Sequence, residues 1–518
     1  MPKPLTGKKS VNLSLNVRSK VIVNLIRTLT MTVLSFLTFP YVTRALGDQA
    51  FGLYSWANTF VYYFLILAKI SIPNLAIREC ARLKDDKEKF DNAVQTFFLL
   101  QALMTLASFG LMCGFVFSVP GLFAHREIIF LLSINFLVGV FSFEWVYIAL
   151  EKHFYITLRS IALIAFSAVV TFAVIRKSER PENYLYLYAL IAISSTILTS
   201  LFNCLLLPRY VSFKRRLPYS FKPLLRPLIT LFLVSGALTL YNQTDELILG
   251  FLDEDKSSVG AYSVGVKGVE IIITLITSLY AVFLPRAAYY YGKENKRAFQ
   301  NLINYSLNIT FFIAIPAIAT MATLSSEITH LISGSDAGSY EDAAAVLWIL
   351  ASMMLTYSIG DNVYTEILIP MKGEKVYLAT MLLGVALNAG LSFLFALTLF
   401  KRRPAVGVAI ATSLADLLIL CYLLFAARQY ASKAVFNRNN LKIVAMGSLI
   451  GVFTYFVKPY AESWMPSSER WEVYLYSLLI LVAFDAVVYI GGCLLLKERL
   501  VCSFLPSHRR KERENGQS

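Results

Sequence analysis

Long, nearly uncharged apolar stretches follow one another along this chain, each about as long as a bilayer core is thick. Residues 127–150 and 405–427 are two examples, and short loops that hold most of the charges separate such stretches. A transmembrane helix needs about 20 mainly apolar residues, whereas the strands of a membrane barrel alternate in segments of about 10. The stretches therefore predict a helical protein that crosses the membrane many times.

The composition excludes soluble classes of protein. Of the 518 residues, 57% are hydrophobic and 16% are charged, against about 45–50% and about 25% in soluble domains. A water-soluble fold cannot bury that much apolar surface. Soluble enzymes and disordered proteins are thus excluded.

The fold class predicted from these runs is an all-α polytopic membrane protein with about fourteen transmembrane helices. The predicted helices cover residues 20–42, 51–73, 93–117, 127–150, 156–177, 184–207, 228–250, 260–284, 300–323, 343–369, 377–399, 405–427, 443–458 and 473–496. Residues 1–19 form a basic N-terminus and residues 497–518 a basic tail. The first apolar run is too long for a signal peptide, so we interpret it as a retained helix.

The positive charge is distributed as membrane topology requires. The formal net charge is +15, and 33 of the 48 Lys and Arg residues fall in segments on the side of the N-terminus, against 11 in the opposite loops. This bias predicts that both termini are cytoplasmic. The outer loop Lys401-Arg402-Arg403 is an exception. Because the charge follows the loops, we expect no nucleic-acid partner.

No motif for covalent chemistry or for cofactor binding is present. The six cysteines are scattered and the four histidines are isolated, so neither a metal site nor a disulfide framework is indicated. The chain lacks the GxxxxGKS/T, HExxH and GxSxG patterns. The largest outer loop, residues 324–342, is too short for a catalytic domain. We expect a protein that is not an enzyme and has no cofactor.

A short motif recurs at equivalent places in the two halves of the chain. Gly52-Leu53-Tyr54-Ser55 and Gly260-Ala261-Tyr262-Ser263 stand 208 residues apart, with six predicted helices from one to the other. We interpret this as a parallel repeat, although chance recurrence at helix starts is the alternative. The repeat predicts an N-lobe at residues 20–207 and a C-lobe at 228–427, with a basic cytoplasmic linker at 208–227 and extra helices at 428–496. Many transporters place the substrate site between such lobes.

Three predicted helices carry polar stripes at helical spacing, although a charge at the bilayer centre costs about 2.5–3.5 kcal/mol. The stripes are Asn24, Arg27, Thr28, Thr32 and Ser35; Ser235, Thr239, Asn242 and Glu246 with Asp245 beside them; and Ser263, Lys267, Glu270, Thr274 and Thr277. They predict a hydrated cavity between the lobes. Its candidate substrate-binding residues are Asn24, Arg27, Asn242 and Lys267.

Carboxylates inside predicted helices are candidates for ion coupling or gating. They are Glu144, Asp245, Glu246, Glu270, Asp361 and Glu366. Each can bind a proton or Na⁺, or can interact with a buried cation. Structural ion pairs of Lys267, with Glu270 or with Asp245 and Glu246, remain open as alternatives. With no nucleotide motif, transport would depend on an ion gradient, the membrane potential or substrate supply.

Several soft motifs, in order, resemble polysaccharide-type lipid-linked oligosaccharide flippases of the multidrug/oligosaccharidyl-lipid/polysaccharide flippase superfamily. They are FPYVTRALG at 39–47 with FGLY at 51–54, AIRECAR at 76–82 with KDDKEK at 84–89, TDELILG at 244–250, VGAYS at 259–263 and LPR at 284–286. The resemblance implies two six-helix bundles in a V, with two extra C-terminal helices. It also implies a polyprenyl-pyrophosphate-linked oligosaccharide as cargo, moved to the outer leaflet of the bacterial inner membrane by alternating access for O-antigen-type polysaccharide.

The cargo suggests specific roles and partners. Since Arg pairs with phosphate through two donors, Arg27 is the first choice for the pyrophosphate, before Arg44 of the first motif and Lys267. Partners would be the lipid-linked oligosaccharide and membrane lipids, with the polysaccharide polymerase and glycosyltransferases as further candidates.

Two other functions stay open. One is a cation-coupled multidrug exporter of the same superfamily; the other is a membrane polymerase or glycosyltransferase, which would need a larger outer loop.

Overall fold

Helices make up all the regular structure in the part of the chain that the computed structural model describes. The described residues are 8–69, 71–175, 182–213, 225–334, 340–463, 470–496, 498 and 501, and side chains are described for most of them from residue 27 onward. No strand occurs among these residues. The prediction of an all-α fold is therefore confirmed.

Twelve helical segments of described residues are long and apolar enough to cross a membrane. The first of them, Thr30–Leu83, contains a kink at Gly47 and so covers the first two predicted helices. Leu225–Leu252 corresponds to the seventh predicted helix, and only some of its side chains are described. The polytopic membrane fold is confirmed, while the count of fourteen helices stays a prediction.

The chain divides into two compact units. Unit 1 comprises Met1–Leu46 and Tyr54–Leu240, and unit 2 comprises Gly47–Leu53 and Tyr241–Ser518. The first eight helices are α1 (Lys8–Lys69), α2 (Ile72–Leu83), α3 (Lys87–Ser118), α4 (Pro120–Ala124), α5 (Arg126–Gly139), α6 (Glu144–Ala149), α7 (His153–Val174) and α8 (Glu182–Leu206). A hydrophobic core of unit 1 joins α2, α3 and α6 through Ile72, Phe97 and Trp145, all of which are buried.

Helix α9 starts in unit 1 and ends in unit 2, and the later helices belong to unit 2. They are α9 (Leu225–Leu252), α10 (Ser257–Gly292), α11 (Lys296–Thr323), α12 (Ser325–Ser333), α13 (Ala343–Leu350), α14 (Met353–Asn362), α15 (Glu374–Leu394), α16 (Pro404–Ala426), α17 (Arg428–Val435), α18 (Arg438–Ser463) and α19 (Arg470–Leu495). Two π-helical segments, Val363–Leu368 and Phe395–Leu399, directly follow α14 and α15.

Four short helices, α2, α4, α12 and α17, lie in segments that the sequence analysis treats as loops. Helix α2 buries Ile72, Leu75, Ala76 and Cys80, while Arg78 and Arg82 are exposed. A helix of this kind buries only one face. Such a helix has no continuous apolar run, so the sequence does not indicate a membrane helix there.

The two copies of the repeated motif pack against each other through glycine backbones within unit 2. A Cβ atom on Gly52 would lie 1.9 Å from the carbonyl oxygen of Lys256, and one on Gly260 would lie 2.3 Å from the carbonyl oxygen of Asp48. Any side chain would push these backbone segments apart, so both positions require glycine. Gly47, with φ 73° and ψ 173°, kinks α1 just before this contact.

We expect Gly260→Ala to lower the free energy of unfolding by at least about 1–3 kcal/mol, because the added methyl group overpacks a backbone contact. The thermal unfolding midpoint of the purified protein in detergent measures this. Gly110→Ala in α3 is the matched control, since its Cβ atom would meet no heavy atom within 4 Å. An unchanged midpoint for Gly260→Ala would contradict the close packing of the two motifs.

Candidate functional site

The fourth predicted membrane helix is broken inside unit 1. Helix α5 ends at Gly139, a 3₁₀ turn covers Val140–Ser142, and α6 begins at Glu144. Phe143 at the break has φ 45° and ψ 21°, a left-handed conformation that costs about 1–3 kcal/mol. Its buried ring stacks on Phe98 with the ring centroids 5.0 Å apart, so core packing stabilises the break.

Side chains of α8 satisfy carbonyl groups that the break exposes. The hydrocarbon region offers no water to bond such groups, so they need protein partners. The Ser200 hydroxyl donates to the Val138 carbonyl oxygen at 3.0 Å. The Asn203 side-chain amide donates to the Ser142 carbonyl oxygen. The break and α8 therefore form one hydrogen-bonded structure.

Asn203 also orients Arg159 of α7. Its Oδ1 atom accepts hydrogen bonds from Arg159 Nη1 at 2.6 Å and from the Tyr155 hydroxyl at 2.8 Å. The side chain of Arg159 is only 5% exposed, and its Nε atom has no hydrogen-bond partner among the described residues. One buried amide thus holds both the broken backbone and a guanidinium group.

Glu144, the first residue after the break, lies between two guanidinium groups. Its Oε1 atom is 3.6 Å from Nη1 of Arg27 and 3.5 Å from Nη2 of Arg159. Lys69 also lies within electrostatic reach of Glu144. Positive charges outnumber the single carboxylate here, so the cluster of Arg27, Arg159 and Glu144, which we call the arginine cluster, is suited to binding an anion.

A cavity of about 480 Å³ adjoins the arginine cluster, and all its lining residues belong to unit 1. Its volume is in the range of small-molecule sites. The arginine cluster lines one part. Hydroxyl groups line another part, and they belong to Thr38, Ser160, Ser167, Thr171, Tyr188, Ser195 and Thr199. The cavity therefore combines an excess of positive charge with groups that hydrogen-bond to polar ligands.

A second buried polar cluster centres on Asp245 in unit 2. Its carboxylate accepts hydrogen bonds from the Tyr262 hydroxyl at 2.5 Å, the Thr412 hydroxyl at 2.9 Å and the Asn388 amide at 2.8 Å. These donors come from α10, α16 and α15, so the carboxylate joins four helices. Hard cations prefer oxygen ligands of these types. Among the described residues, however, no group of three or more His, Cys, Asp or Glu is placed to hold a metal ion.

Glu366 is fully buried on the π-helical segment Val363–Leu368 of unit 2. The Ser306 hydroxyl donates to Glu366 Oε1 at 2.5 Å, and the Asn362 amide donates to the same hydroxyl oxygen at 2.8 Å. Glu366 Oε2 and Asn362 Oδ1 have no hydrogen-bond partner within the described part of the chain. Segments of π-helix are frequent at functional sites. A buried carboxylate oxygen without a donor favours uptake of a proton or a cation.

The other sequence-predicted residues of unit 2 do not line the cavity of unit 1. Lys267 forms an ion pair with Glu270, one turn along α10, with both side chains about half exposed. Glu246 accepts a hydrogen bond from the Ser263 hydroxyl at 2.6 Å.

The remaining predicted residues are placed as follows. Asn242 is exposed, and Asp361 is partly buried. In unit 1, Arg44 is exposed and does not line the cavity. The side chain of Asn24 lies outside the described residues. Of the predicted site residues, the structure thus brings Arg27 and Glu144 together at the cavity of unit 1, and it pairs Lys267 with Glu270 in unit 2.

Sequence reasoning missed Arg159 and Asn203. Arg159 stands near a predicted helix end, where a long side chain can reach the interface, and it is therefore not singled out. A usable signal was present, because Glu144 stands seven residues before Glu151 and Arg159 stands seven residues after Lys152. Two helices joined by a tight turn place such equidistant residues at the same depth.

Two family models match the chain. The model described as "Polysaccharide biosynthesis protein" matches residues 17–290, and the model described as "MatE" matches residues 231–394. The first match covers more than half of the chain and includes the whole arginine cluster. The second includes Asp245, Asn388 and Glu366.

One curated relative is the "Putative O-antigen transporter" of Escherichia coli (strain K12). It is 22% identical over 405 residues, which cover 76% of this chain and 92% of the relative. A similar solved structure is "Lipid II flippase MurJ, inward closed conformation", with a TM-score of 0.54, 17% identity and coverage of 95% of this chain and 100% of that chain.

Another similar structure is the "Inward-facing conformation of a multidrug resistance MATE family transporter of the MOP superfamily". Its TM-score is 0.57, it is 14% identical, and the match covers 80% of this chain and 99% of that chain. At such identities the solved structures show the fold alone. The family match, the relative and the fold agree with the resemblance noted in the sequence. The chain belongs to the polysaccharide biosynthesis protein family of the multidrug/oligosaccharidyl-lipid/polysaccharide flippase superfamily and is a multi-pass membrane protein.

Proposed function

We propose that this protein is a flippase that moves polyprenyl-pyrophosphate-linked oligosaccharides from the cytoplasmic to the outer leaflet of the bacterial inner membrane. It works by alternating access and serves the synthesis of surface polysaccharide of the O-antigen type. Both termini are cytoplasmic in this proposal. The cargo is translocated without any covalent step, so the protein needs no catalytic residue and no cofactor.

The observation that carries the proposal is the arginine cluster beside a cavity lined by hydroxyl groups. An anionic pyrophosphate crossing a bilayer needs cationic partners, and guanidinium groups match phosphate oxygens with paired donors. A glycan needs hydrogen-bonding groups, which the serine and threonine residues of α7 and α8 supply. We assign the pyrophosphate contact to Arg27 first. Arg44, Lys267, Asn24 and Asn242 remain secondary candidates.

We expect Arg27→Ala to reduce surface polysaccharide by at least about 10-fold, since a hydrogen bond to a charged group contributes about 1.5–3 kcal/mol. The measurement is the polysaccharide made by a strain whose chromosomal copy is deleted and replaced by the variant, at matched protein levels in the membrane. Arg82→Ala is the control, because Arg82 is an exposed arginine paired with Glu79 at 2.7 Å. Wild-type polysaccharide in the Arg27→Ala strain would remove Arg27 from the mechanism.

Ion coupling belongs in this proposal to Glu366 first and to Asp245 second. The Oε2 atom of Glu366 has no hydrogen-bond partner among the described residues, so it can gain a proton or a cation and lose it again, whereas the carboxylate of Asp245 already has three donors. Glu144, Glu246, Glu270 and Asp361 are further candidates. We propose that Glu366 binds a proton or Na⁺ on one side of the membrane and releases it on the other as the transporter alternates.

We expect Glu366→Gln to abolish the stimulation of transport by an imposed proton or Na⁺ gradient, because the amide cannot release a proton or hold a cation as a carboxylate does. Transport into proteoliposomes, with and without the gradient, measures this. Asp485→Asn is the matched control, since Thr454 and Thr320 already donate to the two oxygens of Asp485 at 2.6 and 3.0 Å. If the Glu366→Gln protein still responds to the gradient as wild type does, the assignment is wrong.

A second candidate function is cation-coupled export of multiple drugs. The match of residues 231–394 to the MatE model favours it. A deletion strain that accumulates drugs but makes normal surface polysaccharide would support export of drugs over export of glycans. The polysaccharide polymerase and the glycosyltransferases are proposed as partners only for the flippase function.

A further inference from the structure

We propose that Glu144 is an internal counter-ion which a diphosphate group displaces, and that Arg159 is the second residue that binds this diphosphate. The inference rests on the proposed function for the identity of the cargo. The anion site itself is defined by the contacts within unit 1 and can be tested with soluble ligands.

The contacts of Glu144 are too long for a strong fixed salt bridge. One oxygen atom faces both arginines at 3.5–3.6 Å, whereas charge-assisted hydrogen bonds between such groups are about 2.7–2.9 Å long. The two arginine nitrogens therefore lie no more than about 7 Å apart, with a single oxygen shared between them. A ligand with several anionic oxygens would give each guanidinium group its own acceptors.

The two arginines differ in how firmly they are held. Arg159 is buried and is bonded to Asn203 at 2.6 Å, and its Nε donor has no partner among the described residues. The side chain of Arg27 is 27% exposed, and that of Glu144 is 37% exposed. Arg159 is thus a fixed part of the site with an unused donor, while Glu144 has room to turn away.

A carboxylate at this point also explains how the empty site is tolerated. Two guanidinium groups without a counter-ion are costly in a region of low dielectric. Glu144 supplies that charge when no ligand is bound, and it competes with the ligand for the same donors. The competition lowers affinity for the anion and favours its release after transfer.

The test is the affinity of the purified full-length protein for inorganic pyrophosphate and for farnesyl pyrophosphate, measured by calorimetry. We expect Glu144→Gln, which keeps the shape but removes the charge, to bind both ligands about 5- to 10-fold more tightly than wild type and to release them more slowly. We expect Arg159→Gln to bind both at least about 10-fold more weakly, and Arg159→Lys to lie between. Glu151→Gln is the control, because Glu151 forms an exposed ion pair with Lys84 at 3.3 Å.

Unchanged or weaker binding by a folded Glu144→Gln protein would overturn the counter-ion role. Wild-type affinity in both Arg159 variants would overturn the role of Arg159. Should Arg159→Gln fail to fold, the Arg159→Lys protein still tests the role of Arg159, and the Glu144→Gln protein still tests the role of Glu144. Tighter binding of farnesyl than of inorganic pyrophosphate assigns the site to a lipid headgroup, and equal binding assigns it to the free anion. These assays need no glycan transport. The inference can therefore fail while the flippase function stands, and the flippase function can fail while the inference stands.

Discussion

Polar groups in the hydrocarbon region need partners from the protein itself, and the break at Phe143 depends on this constraint. A helix interrupted within a membrane-spanning segment leaves carbonyl groups without their usual donors. Ser200 and Asn203 of α8 supply the donors, and aromatic packing against Phe98 holds the left-handed residue. The cost of the break is offset by contacts that reach well beyond the residues of the break. The result is that Glu144 begins a new helix with its side chain directed at the two arginines.

Asn203 connects this backbone constraint to the charges of the site. The same side chain donates to the Ser142 carbonyl oxygen and accepts from Arg159. The position of the guanidinium group therefore depends on the geometry of the break. A displacement of either one would move the other through the Asn203 amide. Sites of this kind use supporting hydrogen bonds to fix the groups that meet the ligand. Arg27, by contrast, belongs to α1 and has only Glu144 as an ion-pair partner within the described residues.

Much of the fold and part of the site could be predicted from the sequence. Apolar runs of bilayer length predict the membrane helices, and Arg27 is singled out because a buried charge is costly. The Gly52 and Gly260 motifs are visible as a repeat, and their close packing supplies the physical reason for the glycines. The break could not be predicted, because Phe143 is not a residue type that favours a left-handed conformation. Arg159 is not predicted, because its position near the end of one predicted helix does not reveal that a hairpin brings it beside Glu144.

The carboxylates of the membrane-spanning segments differ in how completely the protein satisfies them, and we use this difference to distinguish structural from exchangeable groups. Asp485 has a donor on each oxygen and joins α11, α18 and α19, so it serves helix packing. Glu366 has one oxygen bonded and one without a donor among the described residues. Glu144 shares one oxygen between two cations at distances longer than a strong hydrogen bond. A new partner stabilises a carboxylate little when all its hydrogen bonds are already made. A cation would stabilise Glu366. An anion with more oxygen atoms would stabilise the two arginines beside Glu144. Transport requires groups that exchange partners, so we place the ligand beside Glu144 and the coupling ion at Glu366.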